Sequence, residues 1–275
     1  MSKHIERPAA TRDRMTDSIL LSVEETVATL TFNRPQVFNA MDAEMMIRFR
    51  AAAEQVERDA NVRALVLRGE GKAFISGGDL ALFHQHIDEL PEAIVRWGRE
   101  MYFGILALRR MAKPVLASVQ GACAGAGFSI LCAADLAVAS DAARFSLAYA
   151  NIGTSPDGGS THLLPRLVGY KKAMELAFLP ELFDAQTARA LGLINWVVPG
   201  SELTQHTTRI AANLARGPTI AHGEAKRLIY HSLERSIETQ MEEELAAFSR
   251  CARTRDLAEG VAAFVQKREP MFKGS

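Results

Sequence analysis

Apolar and polar side chains alternate through residues 19–33, as ILLSV before Glu24 and Glu25 and VATLTF after them. That period of two predicts a pair of strands joined in a hairpin. Residues 42–60 change to helical spacing, and VRALVLRG at 62–69 returns to a strand. A glycine turn, a polar helix-like stretch from Leu80 to about Leu90 and a long helix ending near Met111 follow. PVLASVQG (114–121), LAVAS (136–140), RFSLA (144–148) and INWVV (194–198) read as short apolar strands separated by helical stretches. Strands that recur between helices predict an α/β fold of repeated strand, strand, helix units. After Pro199 the strands stop, and residues 201–215, 218–231, 237–251 and 256–268 all read as helices. The expected organisation is a core over 15–200 and a helical carboxyl-terminal region over 201–275, packed on the core or on a neighbouring subunit. Residues 1–14, MSKHIERPAATRDR, are polar and aperiodic, and read as a disordered extension or a start-site artefact. Glu6 and Asp13 argue against a basic organellar presequence there.

Composition narrows the class of partner. The 275 residues, 48% of them hydrophobic, suffice for a substantial core. With 32 basic and 32 acidic residues and no long run of one sign, the chain lacks the footprint of a nucleic-acid binder, so a small molecule is the expected partner. Cys123, Cys132 and Cys251 form no CxxC pair, which argues against a disulfide framework and a zinc site. No apolar run reaches the roughly 18 residues of a membrane span, and the amino terminus has no signal-like apolar segment. A cytoplasmic protein with no membrane partner is expected.

Three stretches rich in glycine and small residues carry the candidate chemistry. FISGGDL (74–80) ends a strand and enters a helix, and Gly77 and Gly78 allow backbone amides to approach a ligand. A tight turn with Asp79 as helix cap explains the same residues. GACAGAGFS (121–129) follows a strand and opens the apolar helix FSILCAAD, which puts the Ala126 amide at a helix amino terminus. Close helix packing is the alternative, and the spacing does not fit a dinucleotide fingerprint. NIGTSPDGGS (151–160) isolates one carboxylate, Asp157, in a turn before a helix, where it is either a proton carrier or a cap.

RPQVFNAMD (34–42), KAFISGGDL, GACAGAGFS and FSLAYANIGTSPDGGS occur in an order and spacing that resembles the crotonase, or enoyl-CoA hydratase/isomerase, superfamily. The resemblance covers about residues 19–272 and includes the ending EGVAAFVQKREPMF (259–272). It implies a crotonase-like ββα superhelix with a helical carboxyl-terminal oligomerisation region, assembled as a homotrimer or a dimer of trimers. It also implies an acyl-CoA thioester substrate, with coenzyme A as part of that substrate and no separate cofactor or metal. The family's oxyanion donors fall on the Gly78 and Ala126 amides. Substrate binding falls on Phe38 and Ala40, on Ala73, Ser76, Gly77, Asp79 and Leu80, on Gly125 and Ser129, and on Phe264 and Lys267 near the end of the chain.

The acid and base positions depart from the family's hydratases, which use two glutamates where this chain has Ser129 and Tyr149. Asp157 stands instead where the enoyl-CoA isomerase and ring-1,2-epoxyphenylacetyl-CoA isomerase branch resembles it in carrying a catalytic aspartate. The resemblance therefore implies a double-bond isomerase in which Asp157 moves one proton. Tyr149 orients a water, bonds Asp157 or walls the acyl pocket; Ser129 is a weak polar contact or packing. A hydratase is the alternative, and a non-catalytic CoA-binding protein is the alternative of another class. Aryl-CoA dehalogenases share the aspartate but pair it with tryptophan and histidine where Tyr149 and Tyr102 stand. His84 and His86 follow the first turn as acid–base candidates or as surface residues.

Overall fold

The computed structural model describes residues 17–275; the expectation for residues 1–14 lies outside the described residues. The amino-terminal hairpin is β1 (Ile19–Glu24) and β2 (Val27–Phe32), turning through Glu25 at φ 52°. Next come α1 (Ala43–Arg58), β3 (Ala64–Gly69), α2 (Leu80–Gln85), α3 (Leu90–Arg110) and β4 (Val115–Val119). β5 (Ala122–Ala124), α4 (Ala126–Ala133), β6 (Leu136–Ser140) and β7 (Arg144–Ser146) follow. Then come α5 (Ser160–Val168), α6 (Tyr170–Phe178), β8 (Phe183–Asp184), α7 (Ala185–Ala190) and β9 (Trp196–Val198). The chain ends in α8 (Leu203–Arg216), α9 (Thr219–His231), α10 (Ile237–Cys251) and α11 (Arg255–Gln266).

The larger sheet has the order β1-β2-β3-β4-β6-β9, antiparallel at β1/β2 and parallel elsewhere. Its central strands are apolar at successive positions because both faces are covered, as parallel sheets require. Leu65 and Leu67 of β3 share a core cluster with Met45 and Phe49 of α1 and Met101 and Ile105 of α3. Val66 faces the other way and packs with Leu116, Val138 and, from α8, Leu203 and Ala211. The helical region over 201–275 thus begins on the sheet itself, with α8 as its cover.

A smaller sheet, β5-β7-β8, carries the functional turns. Parallel bridges extend it at both turns: Ile75 pairs with Cys123, and Met41 pairs with Gly78. The sequence pattern does not foretell β5, because ACA inside a glycine-rich run has no periodicity to read. Tertiary pairing with residues 74–75 and β7 makes it a strand.

The turn at 34–42 is held by buried hydrogen bonds. Asn39, fully buried at φ 58°, donates through Nδ2 to the carbonyls of Glu70, Ala73 and Phe74 at 2.9, 2.8 and 3.1 Å. Its Oδ1 accepts from the Arg34 amide at 2.8 Å. Arg34 in turn pairs with Asp42 at 3.2 Å and Asp79 at 3.0 Å, and those two carboxylates cap α1 and α2. One cation therefore ties the two helix starts to the turn between them.

Asn39→Ala takes the donor from the buried Phe74 carbonyl and the partly buried Glu70 carbonyl, while Ala73 O keeps Gln120; a buried group left without a donor costs about 1–3 kcal/mol. Urea unfolding is expected to show a loss of at least about 2 kcal/mol on that basis; an unchanged midpoint would contradict the assignment.

Candidate active site

The two glycine-rich turns meet because neither carries a Cβ at the contact. Gly77 has φ 125° and Gly125 has φ 50°, both in the region that L side chains avoid, and a Cβ on Gly125 would stand 3.3 Å from Gly77 Cα. Backbone hydrogen bonds then lace the turns: Phe74 and Ile75 amides donate to Ala122 O, and the Ala124 amide donates to Ile75 O at 2.9 Å.

That lacing decides which amides remain available. Met41 donates to Gly77 O at 2.8 Å and accepts from the Asp79 amide at 3.0 Å. A parallel bridge uses the groups of the flanking residues, so the intervening Gly78 N–H points away from Met41. Ala126 is the first residue of α4, whose leading amides have no intrahelical acceptor. Neither the Gly78 nor the Ala126 amide is consumed by the turn and cap hydrogen bonds among the described residues. Both residues line one cavity of about 620 Å³ whose wall is otherwise largely apolar.

Asp157 and Tyr149 line the same cavity, and Asp157 is the carboxylate among its lining residues. It is presented by a turn that requires glycine next: Gly158 has φ 60°, and a Cβ there would lie 2.8 Å from Ser129 Cβ. Tyr149 sits in a short 3-10 turn (Tyr149–Ile152) and donates its hydroxyl to Asp157 Oδ1 at 2.6 Å. Ser129 Oγ, buried on α4, lies 2.9 Å from Tyr149 Oη and 3.0 Å from the Asp157 carbonyl. Its single proton serves one of these acceptors at a time. The Tyr149 proton is committed to the carboxylate, so the polar chain runs from Ser129 through Tyr149 to Asp157 and ends on Oδ1. Oδ2 carries no hydrogen bond among the described residues.

Opposing effects set the charge state of the aspartate. Burial raises the Asp157 pKa, and the hydrogen bond from Tyr149 lowers it by favouring the carboxylate. The Tyr149 phenol moves up, first through burial and then through the neighbouring carboxylate, so it remains protonated and able to donate.

Other residues expected to bind substrate take different places. Leu80 and Gly125 line the cavity. Asp79 is engaged by the Leu82 amide at 3.2 Å and by Arg34, the capping role its turn suggested. Ser76 donates its amide to Phe38 O, while Ala40 O accepts from Arg34 and Ala73 O from Asn39 and Gln120, so these residues build the turn. Phe264, 85% exposed on α11, and Lys267, its left-handed cap, lie outside the cavity lining. His84 and His86 are exposed, and His86 packs edge-on against Trp97 rather than lining the cavity. Tyr102 on α3, the position where the aryl-CoA dehalogenases carry histidine, does line it.

Comparison with known proteins agrees with this architecture. The sequence profile described as enoyl-CoA hydratase/isomerase matches residues 22–275. The chain belongs to the enoyl-CoA hydratase/isomerase family, and is an acyl-CoA enzyme of the crotonase fold. It is 35% identical to the 1,2-epoxyphenylacetyl-CoA isomerase of Escherichia coli, over 94% of this chain and 100% of that protein. It is 34% identical to the trans-2-decenoyl-[acyl-carrier-protein] isomerase of Streptococcus mutans, over 93% of this chain and 98% of that one. The crystal structure of an enoyl-CoA hydratase from Polaromonas sp. JS666 superposes with a TM-score of 0.88 at 32% identity, over 93% and 99% of the two chains. Isomerase and hydratase names both occur among these relatives. No helix among the described residues is long and apolar enough to cross a membrane.

Tyr149→Phe removes the hydrogen bond that offsets burial, so the Asp157 pKa rises further and the acidic limb of kcat/KM is expected to move to higher pH. A pH–rate profile with an unmoved limb would contradict the coupling. Ala126→Pro deletes one amide at a helix position that tolerates proline. The expected result is a fall in kcat of roughly 100- to 1000-fold, the range for losing one oxyanion donor, with circular dichroism unchanged.

Proposed function

We propose that the protein is an isomerase that shifts a double bond in an enoyl-CoA or a ring-derived acyl-CoA, with Asp157 as its single acid–base group. The observation that carries this reading is the Tyr149–Asp157 hydrogen bond of 2.6 Å on the wall of the cavity that also holds Gly78 and Ala126. A hydratase of this family needs two carboxylates to hold a water and move its protons. The positions those acids would occupy are Ser129 and Tyr149, whose hydroxyls lie 2.9 Å from each other.

In the proposed mechanism the thioester oxygen lies between the Gly78 and Ala126 amides. Asp157 Oδ2 takes a proton from the carbon next to the thioester. The carbon–hydrogen electron pair becomes a double bond to the thioester carbon, the carbonyl π pair moves onto the thioester oxygen as a dienolate, and the chain double bond shifts toward the thioester when the far carbon takes up the proton. The two amides bind that charge more strongly than the neutral carbonyl, and each such donor contributes about 2.7–4 kcal/mol in the transition state. Asp157 then returns the same proton to the far end of the dienolate, so no water and no second acid is consumed. Tyr149 keeps the carboxylate ionised before the transfer, and the raised pKa from burial makes it a stronger base than an exposed aspartate.

The binding assignments to Phe38, Ala40, Ala73, Ser76, Gly77 and Asp79 belong to the same proposal, as backbone and turn elements beside the thioester. Phe264 and Lys267 would reach coenzyme A from a neighbouring subunit, with Lys267 meeting a phosphate as a point charge. A homotrimer or dimer of trimers is supported by the apolar side chains that α10 and α11 leave exposed, among them Leu245, Phe248 and Val265.

Asp157→Ala is expected to lower turnover of 3-hexenoyl-CoA by about 100- to 10,000-fold, the contribution of a positioned acid–base group. Near wild-type turnover in that variant would sink the assignment. Hydration of crotonyl-CoA at a rate matching or exceeding isomerisation would instead favour the hydratase.

A further inference from the structure

Glycine inside a helix needs a reason, because it loses more backbone freedom on folding than any other residue. Helix α3 carries two, Gly98 and Gly104, and both are buried. At Gly104 the reason is packing: a Cβ would stand 2.5 and 2.6 Å from the Phe49 ring and 3.3 Å from Arg50 Cα, so glycine lets α1 and α3 approach. Gly98 has no such neighbour, since a Cβ there would meet no heavy atom within 4 Å. It has no left-handed backbone to require glycine either. What lies beside it is space, and Gly98 lines the same cavity of about 620 Å³ as Gly78, Ala126 and Asp157.

The position of that space along α3 gives it a meaning. Residues three and four apart share a helix face, and Met101 and Ile94 line the cavity on either side of Gly98. Met101 marks the proton-transfer end, because a Cβ on Gly158, next to Asp157, would lie 3.3 Å from Met101 Cε. Ile94 lies about 10 Å further along the helix axis, at roughly 1.5 Å per residue. Arg99, Thr154 and Ser155 add polar groups to the cavity, whereas α2 and α3 as far as Val95 add only hydrocarbon, including Phe83, Ile87 and Leu90. An apolar chain that reached those residues would be taken out of water methylene by methylene. A side chain at position 98 would stand in its way.

We infer that Gly98 is a specificity-determining residue. Its missing side chain keeps open the passage from the proton-transfer end of the cavity to the hydrocarbon lining of α2 and the first turns of α3, so the site takes acyl chains that run on past the reacting carbons. The inference rests on the acyl-CoA reading of this cavity and deepens it.

The test measures binding, which separates it from the role of Asp157 in turnover. Isothermal titration with acetyl-CoA and decanoyl-CoA, neither of which has a double bond to shift, gives an affinity ratio for each protein. The wild type is expected to bind decanoyl-CoA at least about tenfold more tightly, the effect of roughly two buried methylenes. In Gly98→Leu that preference is expected to fall at least about fourfold, the loss of one buried methylene, with acetyl-CoA affinity unchanged. Gly98→Ala is expected to weaken the preference in the same direction while raising the melting temperature by roughly 2–4 °C, because helix propensity improves and no neighbour is displaced. Equal affinities in the wild type, a folded Gly98→Leu protein with the wild-type ratio, or a Gly98→Ala protein that melts below the wild type would overturn the inference. If leucine prevents folding, an unchanged ratio in Gly98→Ala overturns it. An Asp157→Ala enzyme that still isomerises 3-hexenoyl-CoA would remove the isomerase reading and leave this result standing.

Discussion

A strand satisfies a neighbour through alternate peptide groups, and the site depends on where that alternation leaves an amide over. Met41 takes the carbonyl of Gly77 and the amide of Asp79, so Gly78 is passed by. The bridge between Ile75 and Cys123 fixes the second turn against the first, and α4 begins immediately beyond it. The amides of Met41, Phe74, Ile75, Asp79 and Ala124 around them are paired, so the Gly78 and Ala126 amides stand out from a hydrogen-bonded backbone. Asn39 and Arg34 complete this scaffold from the side, one holding three carbonyls and the other two helix caps.

The carboxylate is governed by a different balance. A buried aspartate resists ionisation, and an aspartate held by too many donors is too weak a base to remove a carbon-bound proton. Here a single donor, Tyr149, engages Oδ1, and Oδ2 carries no hydrogen bond among the described residues. Ser129 supports the tyrosine from α4, the same helix whose first amide lines the site. The two amides and the carboxylate are therefore parts of one rigid unit, the arrangement that the proposed stabilisation of a developing oxyanion requires.

Much of the fold was legible in the chain. The hairpin, α1, α3 and the four closing helices follow from periodicity, because each of these elements buries one face of its own sequence. The glycine-rich turns were also legible as sites of close backbone approach. What failed to show were features whose cause lies elsewhere in the chain: β5 exists only through its partners, and Asn39 looks like an ordinary turn residue until the carbonyls of residues 70, 73 and 74 arrive. Tyr102 entered the sequence reading only through the dehalogenase comparison, since spacing along α3 does not say which side chains line a cavity.

By itself, then, the sequence determined the α/β class, the helical ending, the turns that must be built from glycine and the isolation of a single carboxylate at Asp157, because all of these are local consequences of side-chain size, polarity and period. Only the tertiary structure decided that Gly78, Ala126, Tyr149 and Asp157 share one cavity, that Asp79 is spent on a helix cap, and that the Tyr149 hydroxyl reaches the carboxylate. These are statements about pairing between distant segments, and hydrogen bonds between distant segments are fixed by packing of the whole core rather than by the residues beside them in the chain.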